Sequence, residues 1–139
     1  MSKFKMSKNL AKKLVKKYGS PLYIYNAKII KSQYKRLNNS ILYPNISIHY
    51  AMKANSNPEI LKLLKSLGSK IEAVSIGEIE LALKCGFKAK DIKFTCSNID
   101  EYELSSVHKK GVHISVDSLS QLKKYGKIKN LKQNKKKLI

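Results

Sequence analysis

Tyr50-Ala51-Met52-Lys53-Ala54-Asn55 closes an alternating apolar run and leaves a lysine at its end. A strand over Ile46–Met52 places Ile46, Ile48, Tyr50 and Met52 on one face, and Ser47, His49, Ala51 and Lys53 on the other. In a parallel sheet the apolar face packs on helices, so Lys53 points the opposite way, at the carboxyl end of its strand. Barrel and doubly wound α/β folds build their sites at that end. A partly desolvated amine there loses some of its preference for the charged form and can attack aldehydes. The plainer reading is a solvated surface lysine, as most lysines are.

Outward from this stretch a strand–helix unit recurs. The strands read Ile46–Met52, Ile71–Val74, Ile92–Cys96 and Val112–Val116, at intervals of roughly 20 to 25 residues, as βα units require. Each following helix has a start signal. Asn57-Pro58 is an N-cap followed by proline at the first helical position. Ser75-x-x-Glu78 and Ser118-x-x-Gln121 are capping boxes, and Asp100-x-x-Glu103 approximates one. Gly68, Gly86, Gly111 and Gly126 are the matching stop signals. Leu61, Leu64 and Leu67, then Ile79, Ala82 and Leu83, form the stripes expected to pack on the sheet. The fold class is therefore α/β.

The later strands alternate in the same sense. Ile92, Phe94 and Cys96 oppose Lys93, Thr95 and Ser97; Val112, Ile114 and Val116 oppose His113, Ser115 and Asp117. This fits barrel strands with helices outside and a site within. An open sheet with one partly wet face fits it too. Ahead of the units, Leu10–Lys17 and Ala27–Asn38 read as helices around a short strand, Leu22–Tyr25. Residues 127–139, with Lys135-Lys136-Lys137, read as a basic disordered tail.

A length of 139 residues allows one domain with a real core but falls short of the about 250 typical of a complete eightfold barrel. No apolar run approaches the roughly 18 residues of a membrane span, and the N-terminus lacks a secretory pattern, so the chain reads as cytoplasmic. The net charge of +20 raises nucleic-acid binding. Against it, Arg36 is the only arginine, whereas base readout and bidentate phosphate contacts favour arginine, and the lysines are spread over every segment. Weak, salt-sensitive adhesion to polyanions is expected. Cys85 and Cys96 form no CxxC pair and have no metal-ligand spacing to His49, His108 or His113; both read as buried, reduced thiols, and no metal site is expected. His49 reads as a core histidine, and His108 as one facing a helix dipole or solvent.

The stretch from Tyr50 to Asn55, followed by Ile60-Leu61, Leu64 and Gly68, resembles the pyridoxal-phosphate attachment signature of the ornithine, diaminopimelate and arginine decarboxylase family. Tyr18-Gly19-Ser20-Pro21-Leu22-Tyr23-Ile24-Tyr25, Glu72-Ala73-Val74-Ser75-Ile76-Gly77-Glu78, Ala82-Leu83, Gly86-Phe87 and Val116-Asp117-Ser118 extend the similarity to about residues 10–125. Lys53-Ala54-Asn55-Ser56-Asn57 and the Ser-x-Gly-Glu turn are closer to the diaminopimelate branch than to the ornithine enzymes.

The resemblance implies a partial TIM-type (β/α) barrel of the alanine-racemase-like kind, about four βα units within residues 1–126. It implies pyridoxal 5'-phosphate as cofactor and Lys53 as the catalytic and cofactor-attaching residue. Ala51 leaves room for the ring, and Glu72 stands where the family has an aspartate beside the cofactor. Asp117 could line the site or simply cap a helix. The implied reaction is decarboxylation of meso-diaminopimelate to lysine, on a small amino-acid substrate, in a homodimer without a membrane or a specific nucleic acid. Because the family's phosphate cradle, its acid at the pyridine nitrogen and its β-rich domain have no counterpart here, the chain is expected to be an N-terminal fragment, inactive alone. The competing readings are a non-catalytic pyridoxal-phosphate-binding protein and a lysine-rich nucleic-acid-binding module.

Overall fold

The computed structural model describes residues 5–128; the expected tail lies mostly outside them. The chain divides into two units, Met1–Leu42 and Tyr43–Ile139. The first contains α1 (Lys8–Tyr18) and α2 (Ala27–Ser40). Ser7 caps α1 through a 3.3 Å bond from Leu10 N–H, and Asn26 caps α2 by accepting from Lys28 and Ile29 N–H. Leu22–Tyr25 is not the expected strand. Its burial alternates, with Leu22 and Ile24 half-buried and Tyr23 and Tyr25 exposed. Among the described residues, however, this unit has no strand to share a ladder with, and alternation alone does not make one.

The second unit holds four βα units: β1 (His49–Ala51), α3 (Pro58–Ser66), β2 (Lys70–Ala73), α4 (Ile76–Lys84), β3 (Ile92–Thr95), α5 (Glu101–Lys109), β4 (His113–Ser115) and α6 (Leu119–Gly126). The strands are parallel and lie in sequential order, β1-β2-β3-β4. That is the order of a singly wound barrel; a doubly wound sheet reverses direction at a switch point. The register runs Tyr50↔Ile71, Ile71↔Ile92 and Phe94↔Ile114 along the apolar face, and Ala51↔Glu72, Glu72↔Lys93 and Lys93↔His113 along the other. The apolar face is the core. Ile71, Ile92 and Phe94 are buried with Leu61 of α3, Ile79 and Ala82 of α4, and Leu104 and Val107 of α5. Each large side chain buried this way contributes about 1.5–3 kcal/mol.

The four N-caps act as read, but the return bonds of the two boxes reach one residue further back, Glu78 accepting from Val74 N–H and Gln121 from Asp117 N–H rather than from the caps Ser75 and Ser118. Asn57 accepts from Glu59 N–H at 2.9 Å, Ser75 from Glu78 at 3.2 Å, Asp100 from Glu103 at 2.7 Å and Ser118 from Gln121 at 3.1 Å. At Gly68, φ is 88°, and the chain leaves α3 directly into β2 with Gly68 N–H bonded to Lys65 O and Ser69 N–H to Leu64 O. Gly126 differs from expectation: it is the last residue of α6, and Lys127 after it keeps helical backbone angles. Leu83 is exposed, because the buried stripe of α4 passes through Ile79 and Ala82 and continues to Cys85 just past its end. β1 is shorter than Ile46–Met52. Asn45 has φ 63°, and Met52–Ala54 wind into a 3-10 turn, so the ladder spans three residues. Among the described residues no helix is long and apolar enough to cross a membrane.

Candidate active site

The face opposite the core carries the polar alternates of each strand, and a cavity of about 450 Å³ opens at its carboxyl end. That volume lies within the roughly 300–1,000 Å³ typical of small-molecule sites. Lys53, Glu72, Val74 and Thr95 line it, with Cys96, Ser97, Ser115 and Asp117. β2, β3 and β4 and the turn that follows β1 all contribute, because parallel strands end on the same side.

Lys53 occupies the 3-10 turn just beyond β1. Met52, 1% exposed, anchors that turn in the core. On its far side, Tyr50 Oη donates to Asn55 O at 3.1 Å, and Asn55 Oδ1 accepts from Asn57 N–H at 2.9 Å. The lysine is thus carried on a braced loop between strand and helix. Its own side chain is exposed. The partial desolvation expected of a nucleophilic amine is not supplied by the described residues.

Glu72, in β2, is half-buried and turned into the cavity. Its Oε1 accepts a 2.7 Å bond from Thr95 Oγ1 on the neighbouring strand. Ala51 is half-buried and in register with Glu72 but does not line the cavity. Asp117 does line it, and its backbone N–H donates to Gln121 Oε1 at 3.0 Å. With one lysine and two carboxylates, the lining groups carry a formal charge of −1.

His49 is not in this group; its Nδ1 lies 3.2 Å from Ile71 O, so that nitrogen carries the proton and donates. His108 pairs with Tyr125, Nδ1 to Oη 3.1 Å and the rings edge to face, rather than facing solvent. Cys85 is buried as expected. Cys96, just past the end of β3 at Thr95, is only half-buried: it packs against the edge of the core and also borders the cavity, with Sγ 3.6 Å from Asn98 O. Thr95, Ser97 and Ser115 were already on the polar face by alternation. Nothing local marked Thr95 as the partner of Glu72, which is 23 residues away.

Residues 27–138 match the family described as pyridoxal-dependent decarboxylase, pyridoxal binding domain. The diaminopimelate decarboxylase of Buchnera aphidicola subsp. Acyrthosiphon pisum is 42% identical over 125 residues, 88% of this chain and 29% of that protein. That of Methanothermobacter thermautotrophicus is 39% identical over 120 residues, 85% of this chain and 28% of its own length. The solved diaminopimelate decarboxylase of Helicobacter pylori, complexed with L-lysine, aligns with a TM-score of 0.80 at 32% identity, covering 88% of this chain and 32% of that one. Lysine decarboxylase from Selenomonas ruminantium aligns with a TM-score of 0.82 at 28% identity, covering 92% and 34%. The chain spans under a third of the length of these two curated relatives.

Proposed function

Because the chain belongs to the pyridoxal-dependent decarboxylase family, through its pyridoxal-binding domain, we propose that it is the lysine-bearing part of a pyridoxal-phosphate enzyme that decarboxylates meso-diaminopimelate to lysine. The supporting observation is that Lys53 and Glu72 face one cavity at the carboxyl end of a parallel sheet. The residues present fit one end of the cofactor. Lys53 would hold it covalently through its amine. Glu72, pinned by Thr95, presents a fixed negative charge beside it. Ser97 and Ser115 offer hydroxyl donors. When bound, pyridoxal phosphate supplies a sink for the electron pair left as carbon dioxide departs.

What these residues do is bind and orient. The turn at Met52–Ala54 fixes where the amine stands, and the Thr95 bond fixes the carboxylate. Excluding water from Lys53 requires further protein surface over the cavity, as does holding a phosphate dianion, since Lys53 is the one cation among the lining residues. By this reading residues 1–126 form part of a cofactor-binding barrel domain. The intact enzyme is a cytoplasmic homodimer acting on a small amino acid. The chain by itself releases no carbon dioxide from diaminopimelate.

Incubation with pyridoxal phosphate, borohydride reduction and peptide mapping test the assignment. Label should concentrate on Lys53 over the other lysines and vanish in Lys53→Ala. Label spread evenly over surface lysines would sink it.

A further inference from the structure

Among the described residues the buried polar side chains that the chemistry above leaves unused are Ser69 and Gln121, and Gln121 is the one beside the cavity. It lies in the first turn of α6 and is 3% exposed. Its Oε1 accepts from Asp117 N–H at 3.0 Å, and its Nε2 donates to Cys96 O at 2.5 Å. One amide therefore ties the segment leaving β3 to the segment leaving β4, and the residues it grips, Cys96 and Asp117, both line the Lys53 cavity. An N–H only donates and a carbonyl only accepts, so the side chain must offer one acceptor and one donor at once. Glutamine does.

Glu78 shows the contrast. It stands in the same place in α4, three residues after the N-cap Ser75, and its Oε2 accepts from Val74 N–H at 2.7 Å. An ionised carboxylate has no donor. Glutamate at position 121 would keep the bond to Asp117 but turn its second oxygen against the Cys96 carbonyl. The two boxes look alike in sequence, but only the amide can bridge two strand ends.

We propose that Gln121 is a positioning residue of the Lys53 cavity, setting the spacing of the β3 and β4 ends and with it the placement of Cys96 and Asp117. Removing the donor leaves a buried carbonyl unpaired and releases the Cys96 segment. A site is only as well placed as the groups supporting it. The proposal rests on the reading of this cavity as the cofactor site.

The two cysteines provide the test in the full chain. Cys96 is half-exposed and reports the rim; Cys85, 8% exposed, reports global folding. With iodoacetamide under native conditions, Gln121→Glu and Gln121→Leu should each raise the Cys96 alkylation rate about fivefold, the loss of one hydrogen bond's net contribution, while Cys85 stays protected. In Gln121→Glu the ratio to the unaltered rate at the same pH should fall toward one as the buried carboxyl takes up a proton and regains a donor. The Gln121→Leu ratio should not change with pH. In the unaltered chain the Asp117 amide should exchange hydrogen slowly, a measurement that needs no variant. Borohydride labelling of Lys53, relative to the other lysines, should drop in both variants.

An unchanged Cys96 rate with Cys85 protected would overturn the proposal, as would a pH-independent Gln121→Glu ratio or an Asp117 amide exchanging freely. So would a raised Cys96 rate with Lys53 labelling unmoved, which would reduce Gln121 to fold stability. Failure of pyridoxal phosphate to label the unaltered chain would strike the cofactor reading instead, leaving the thiol and exchange measurements to decide Gln121.

Discussion

Thr95 Oγ1 donates a 2.7 Å hydrogen bond to Glu72 Oε1, joining β3 to β2 at the lip of the cavity. Glutamate reaches one methylene further than aspartate and has one more torsion to fix. The threonine hydroxyl removes that freedom by selecting one carboxylate position. Because the acceptor is ionised, the bond is stronger than a neutral one.

Thr95→Val keeps the shape and deletes the donor. It should destabilise the fold by about 1–2 kcal/mol, while Thr95→Ser should cost less than half as much. Urea denaturation checks this. Equal losses in the two variants would mean that packing of the methyl group, rather than the bond, is what matters.

Tyr50→Phe removes the strut from Oη to Asn55 O beneath the Lys53 loop. The stability cost should be about 1 kcal/mol, and labelling of Lys53 by pyridoxal phosphate should fall relative to the other lysines. Undiminished selectivity for Lys53 would show that Met52 alone places the turn.

Burial pushes the Tyr125 hydroxyl above its ordinary value near 10. The folded chain thus holds a proton that the unfolded chain releases. The corresponding stability is fully present below about pH 10 and is lost as pH rises through the folded value. The stability difference between the unaltered chain and Tyr125→Phe should shrink above about pH 10, with the lysine titrations common to both cancelling. A difference that stays constant or widens would contradict this.

Binding to RNA or DNA should be weak, fall steeply with salt and depend mainly on the basic residues after Gly126. Deleting residues 127–139 and measuring retention on immobilised nucleic acid at two salt concentrations tests it. Sequence-specific binding that survives the deletion would favour the nucleic-acid reading over the enzyme.

The sequence by itself determined the features whose partners lie within one helical turn or one strand. The caps at Asn57, Ser75, Asp100 and Ser118 each bond an N–H two or three residues on, so their signal is complete in a short window. The core face of Ile71, Ile92 and Phe94 follows from a period of two that holds inside any strand. That Lys53 stands at a strand's carboxyl end was legible too, although it sits in the turn after β1, where the period of two no longer applies. Tertiary structure decided what depends on a distant neighbour. Leu22–Tyr25 alternates like a strand but has no ladder to join among the described residues of its unit. β1 ends early, where Met52 turns into the core. Cys96 keeps contact with the core but is only half-buried, because pairing stops at Thr95. The Glu72–Thr95 bond spans 23 residues and the Gln121–Cys96 bond 25. Such contacts form only when the parallel register brings the strand ends together, and no local pattern encodes that register.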